Sequence, residues 1–128
     1  MNMKKIVILV LVILGAVATA TCGQNNSINK DQIFNSKTIL IDVRTPSEYA
    51  YDHLKKAVNI PLNKIEEDIK YFAPDKEQTI VVYCSSGKRA AVAAKELKNM
   101  GYKNVINAGR LKDLKPLEER LSKSNQGK

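Results

Sequence analysis

Thr79-Ile80-Val81-Val82-Tyr83-Cys84-Ser85-Ser86-Gly87-Lys88-Arg89-Ala90 is the stretch that decides the fold. Ile80 to Tyr83 are apolar without alternation, the mark of a strand buried on both faces. Cys84 closes that strand, and Ser85-Ser86-Gly87 is a turn. Lys88 to Met100 reads as a helix stopped by Gly101. Ala90, Ala91, Ala93 and Ala94 leave little bulk on that helix, so it can lie close to a sheet.

The pattern repeats outward from this unit. Thr38 to Val43 is a second strongly apolar strand. Thr45-Pro46-Ser47-Glu48 then spells a capping box with proline at the first helical position, which predicts a short helix through about Leu54. Ala57 to Ile60 reads as a short strand ended by Pro61. Asn63 is expected to cap the next helix, with Glu66 as box partner and Leu62, Ile65, Ile69 and Phe72 on one face. Asn104 to Asn107 is expected as a third strand, and Leu111 to Leu121 as a helix that Pro116 breaks or restarts. Doubly apolar strands separated by helices imply an α/β fold, with a mainly parallel central sheet and helices on both faces. Ligands of such sheets bind beyond the carboxyl ends of the strands, where Cys84 sits.

Composition bounds the rest. A chain of 128 residues makes one domain and a short appendage. Two cysteines and one histidine exclude a zinc-finger array and a disulfide scaffold. The lack of Trp, with aromatics at 5%, argues against a base-stacking platform for nucleic acid. The net charge of +8 is scattered, which reads as a solvated lysine-rich surface and not as a nucleic-acid patch.

Residues 1–21 carry the order of a secretory leader: Lys4 and Lys5, an unbroken Ile/Val/Leu run over 6–14, then small residues. The run is shorter than the roughly 20 residues that span a bilayer. Two cleavage readings stay open. Ala18-Thr19-Ala20 suits a cut that releases a soluble chain. Cys22 suits the lipidated first residue of a lipoprotein, though Thr19 is a weak match to that signal. Both place the protein outside the cytoplasm, in the periplasm or cell envelope. Loss of 1–21 leaves 19 basic against 13 acidic side chains, a net +6. Residues 22–37 then form a polar tether with a short helical turn near Ile33-Phe34, 38–122 the domain, and 123–128 a frayed tail.

One constellation carries chemistry. Cys84 lies between a strand and a helix N-terminus, where loop amides form an anion-binding nest. The helix dipole and the charges of Lys88 and Arg89 favour thiolate over thiol. Gly87 lets the backbone fold around a ligand. No side chain here is an obvious general base, so the chemistry suits a nucleophile that is already ionised. The plainer reading, a small buried strand residue, does not account for this setting.

These residues resemble the rhodanese family of single-domain sulfurtransferases. Cys84, Gly87 and Arg89 match its C-x-x-G-x-R loop. Ile41-Asp42-Val43-Arg44 with Glu48-Tyr49, then Asn59-Ile60-Pro61, match its first signature, and Gly101-Tyr102 with Asn107-Ala108-Gly109 its later one. The likeness spans about residues 38–114, and Leu111-Lys112-Asp113 points to small exported members. Asp52, Lys56 and Arg110 stand where the family often has glycine. The resemblance implies a thiosulfate sulfurtransferase in which Cys84 becomes a persulfide and passes its sulfur to cyanide or a thiol. It implies that Ser85, Ser86, Gly87, Lys88 and Arg89 bind the anionic donor, with no metal or organic cofactor and a monomeric chain.

Asp42, Arg44 and Arg110 are candidates for the pocket border. The preferred reading of Asp42 and Arg44 is structural, with Arg44 paired to Glu48 across the first strand-helix turn. His53, with no metal-ligand partners at suitable spacing, reads as a structural hydrogen-bonding residue. Two other functions compete. A phosphatase or arsenate reductase would use a C-x5-R loop, but only four residues separate Cys84 from Arg89. A sulfur-carrier or binding module without turnover would show the same loop.

Overall fold

The computed structural model describes residues 29–127, so the expected leader, Cys22 and the tether's first residues lie outside the described residues. The elements in chain order are α1 (Lys30–Ile33), β1 (Ile39–Asp42), α2 (Pro46–Tyr51), β2 (Val58–Asn59), a 3-10 turn (Leu62–Lys64), α3 (Ile65–Phe72), β3 (Thr79–Cys84), α4 (Lys88–Asn99), β4 (Asn104–Arg110) and α5 (Leu111–Asn125). The four strands form one parallel sheet in the order β2-β1-β3-β4.

Alternate residues of β3 feed two separate cores, because successive side chains of a strand point to opposite faces. Ile80, Val82 and Cys84 join Ile41, Val43, Ile65, Ile69 and the small face of α4. Val81 and Tyr83 join Leu40, Leu54, Ile33, Leu111 and Leu114 on the other side. The expected two-sided parallel sheet is therefore present. On α4 the buried residues are Ala90, Ala93, Ala94 and Leu97. Gly101, at φ +97°, ends the helix, with its N–H on the Lys98 carbonyl and that of Tyr102 on Leu97. That pair of bonds is a Schellman stop.

Several local expectations are corrected. Asn63 does not cap α3. The 3-10 turn leads straight into the helix, and the Ile65 N–H bonds the Leu62 carbonyl instead of a side chain. Phe72 is 41% exposed, because Ala73, four residues beyond Ile69, takes the buried place at that edge. Pro116 neither breaks nor restarts α5, which continues through it to Asn125. The proline lies near the helix start, where it removes one backbone bond, while Leu111 and Leu114 hold the helix to the sheet. The tail expected to fray from residue 123 is helical through Asn125. Strand β4 runs past Asn107 to Arg110 through an irregularity opposite Val82 and Cys84. The helical turn expected near Ile33-Phe34 is α1, and Ile33 is buried, so packing begins ahead of Thr38.

Leu97 is fully buried under β3 and α3. Leu97→Ala should destabilise the domain by about 2–5 kcal/mol in urea unfolding, the usual cost of a large-to-small change in a dense core.

Candidate active site

Strand β3 delivers Cys84 to the carboxyl edge of the sheet, and α4 starts four residues later. So short a connection needs a left-handed residue, supplied by Gly87 at φ +90°. The turn aims main-chain donors at the sulfur. Cys84 Sγ accepts the Gly87 N–H at 2.9 Å and the Ala90 N–H at 3.4 Å. The side chain is buried, on the face that α4 covers. It is thus enclosed, yet not in hydrocarbon alone: the open end of a helix, with its partial positive charge, closes over it.

Ser85, Ser86 and Lys88 form the exposed part of the loop. Arg89 is half-buried and turned to Glu48 on α2, with Nη1 on Oε2 at 2.8 Å and Nη2 on Oε1 at 2.9 Å. The Ser85 hydroxyl donates to Glu48 Oε1 at 3.1 Å. Glu48 Oε2 also takes the Thr45 N–H at 3.0 Å, completing the capping box expected of α2. Arg89 first, and the Thr45 amide second, hold the Glu48 carboxyl well below the usual carboxylate range.

Arg44 is not paired with Glu48 as expected. Its Nε donates to Asp42 Oδ1 at 3.0 Å and its Nη2 to Asp42 Oδ2 at 2.7 Å. Both residues are buried. Arg44 Nη2 also reaches the Asp52 carbonyl, and Asn59 Nδ2 donates to the carbonyls of Asp42 and Arg44. Asp42, two residues from Arg44, offers a nearer and drier carboxylate than the α2 surface does. This cluster ties β1, β2 and the end of α2 together. His53 stacks on Tyr49, with centroids 3.8 Å apart, and its Nδ1 lies 2.7 Å from the Tyr49 carbonyl. Among the described residues no group of three His, Cys, Asp or Glu side chains is placed to hold a metal.

Arg110 stands opposite Cys84 in the β3–β4 register and pairs with Asp113, Nε to Oδ2 at 2.6 Å. Gly109, at φ +80°, comes against Gly87: a Cβ at Gly87 would lie 3.7 Å from the Gly109 Cα. A crevice of about 410 Å³, lined in part by Val43, Leu62, Asn63, Arg89 and Glu96, flanks the Arg89 side of the loop. Another cavity, of about 350 Å³ by Phe34, Lys56 and Leu121, involves no loop residue. The residue that sequence reasoning missed is Glu48. Its capping role was legible, but its grip on Arg89 joins positions 41 apart in the chain.

The model of the rhodanese-like domain matches residues 26–108, well over half of the chain. This chain belongs to the rhodanese-like family. Among curated proteins it is 46% identical over 74 residues to the Escherichia coli thiosulfate sulfurtransferase PspE, covering 58% of this chain and 71% of that one. It is 34% identical over 78 residues to the Saccharomyces cerevisiae thiosulfate:glutathione sulfurtransferase, covering 52% of this chain and 56% of that one. Among solved structures, an E. coli rhodanese described with anions aligns at TM-score 0.58 and 45% identity, over 59% of this chain and 89% of that one. A human single-domain sulfurtransferase aligns at TM-score 0.51 and 28% identity, over 57% of this chain and 75% of that one. The rhodanese-like fold and the family expected from the loop motif are both present.

Because the Glu48 carboxyl sits below its unfolded value, it adds stability above the ordinary carboxylate range, and that stability is lost as pH falls. In urea unfolding, the stability gap between wild type and Glu48→Gln should narrow from about pH 6 to about pH 3.

Proposed function

We propose that the chain is a thiosulfate sulfurtransferase that works through a Cys84 persulfide. The observation that carries this reading is the pair of main-chain N–H groups on Cys84 Sγ at the start of α4. Donors aimed at a sulfur stabilise negative charge that develops on it, and two such donors are already in place here. Similarity to a thiosulfate sulfurtransferase and to a thiosulfate:glutathione sulfurtransferase supports thiosulfate as donor and, through the second, a thiol as acceptor.

In the first half-reaction the Cys84 thiolate attacks the outer sulfur of thiosulfate. A Cys84 S–S bond forms, the S–S bond of thiosulfate breaks, and sulfite leaves with the bonding pair. In the second, a thiolate or cyanide attacks the outer sulfur of the persulfide, giving an acceptor persulfide or thiocyanate. The Cys84 thiolate is regenerated, and the kinetics are ping-pong. Ser85, Ser86, Gly87, Lys88 and Arg89 make the loop that receives the donor, with exposed Lys88 drawing in the anion. Four residues between Cys84 and Arg89 make a cradle for one sulfur, smaller than a C-x5-R phosphate loop. The leader read over 1–21 supports work in the cell envelope, either soluble or anchored through Cys22.

Incubation with thiosulfate followed by intact mass measurement should show one added sulfur on the wild type and none on Cys84→Ala. Cyanide should then remove it as thiocyanate. A wild-type mass unchanged by thiosulfate, or hydrolysis of an aryl phosphate by the unaltered protein, would overturn the reading.

A further inference from the structure

Arg89 closes the loop and Arg110 stands on the neighbouring strand in register with Cys84, and each already holds a carboxylate. Arg89 puts both terminal nitrogens on Glu48. Arg110, across the sheet from Cys84, is clamped by Asp113. Lys88 is exposed and has no ion pair among the described residues. Of these three cations, two are compensated by carboxylates and Lys88 is not, among the described residues.

The Glu48 pair is the more restrictive of the two. A guanidinium binds an oxyanion through a fork of parallel N–H groups, and on Arg89 one such fork is filled by Glu48. Glu48 comes from α2 and not from the loop. There it is held independently by the Thr45 amide and hydroxyl, so it does not yield easily to an incoming anion. The same carboxylate fastens the Ser85 hydroxyl, which fixes the first wall of the loop.

We infer that Glu48 is a positioning residue that sets anion affinity: by occupying Arg89 it leaves the donor to the loop amides and Lys88, and it keeps the departing sulfite weakly held. The thiosulfate part of this inference rests on the sulfurtransferase reading; the anion-affinity part does not. A dianion that meets one more unpaired cation several ångströms away in salt-screened solvent gains about threefold to tenfold in affinity. Tighter donor binding would then be joined by slower product release.

Glu48→Gln separates charge from capping. A glutamine at the third helical position still completes the box with Thr45. It turns an NH2 toward Arg89 and carries no charge to hold it. The test uses two readouts on the full chain. Sulfate, an unreactive dianion, is titrated against the Gly87 amide signal in NMR. Steady-state kinetics with thiosulfate are run beside it. Glu48→Gln should bind sulfate about threefold to tenfold more tightly and lower KM for thiosulfate by a similar factor, with kcat unchanged or reduced. Arg89→Met in the Glu48→Gln background should erase the gain. Where Glu48→Gln alone fails to fold, the double variant serves: its sulfate affinity should stay within about twofold of wild type, and a larger loss would overturn the inference. Sulfate affinity unchanged or weakened in Glu48→Gln would overturn the inference, as would a gain that survives Arg89→Met. Tighter sulfate binding in a protein that takes no sulfur from thiosulfate would keep the inference and sink the sulfurtransferase reading.

Discussion

Strand β3 has to serve two cores and then become a helix within three residues. That constraint organises the molecule. Every side chain from Ile80 to Cys84 is buried, so the strand cannot shift register without moving its whole apolar set to the wrong layer. The alanine face of α4 lies directly over the strand it follows, so the turn between them has little length to spare. Its solution is a left-handed glycine, and the by-product of that geometry is a sulfur that accepts two main-chain amides. Packing and chemistry are thus two results of one tight connection.

The second organising element is polar. Asp42 and Arg44 are buried at the edge of the sheet, an arrangement that is costly unless each charge is fully bonded. They meet that condition through each other, through the Asp52 carbonyl and through the amide of Asn59. The result fixes where α2 leaves β1. Because α2 is fixed, Glu48 reaches the loop from outside it and binds both Ser85 and Arg89. The Cys84 loop is therefore braced by an element that a different strand positions. Its outer side, at Gly109 and Arg110, is set by β4 in the same way.

Much of this was legible in the chain. The apolar runs of β1 and β3, the alanine face of α4, the Thr45–Glu48 box and the Gly101 stop are local signals whose physics acts within a few residues. The spacing of Cys84, Gly87 and Arg89 carried the family likeness, which the domain match then met. Local signals also misled where a longer-range demand won. Asn63 looked like a cap, but the turn that seats Leu62 on the core had already bonded the first helical amide. Pro116 looked like a break, but the leucines of α5 gain more from the sheet than one lost backbone bond costs.

What the sequence determined by itself is the order of strands and helices and the place of a thiol where one gives way to the other, because hydrophobic period, capping and turn preference depend on near neighbours. Which charge meets which was decided only by the tertiary structure. Arg44 turns to Asp42, and Glu48 to Arg89. An ion pair depends on distance in space and on the water removed around it, and neither quantity exists until the sheet has closed.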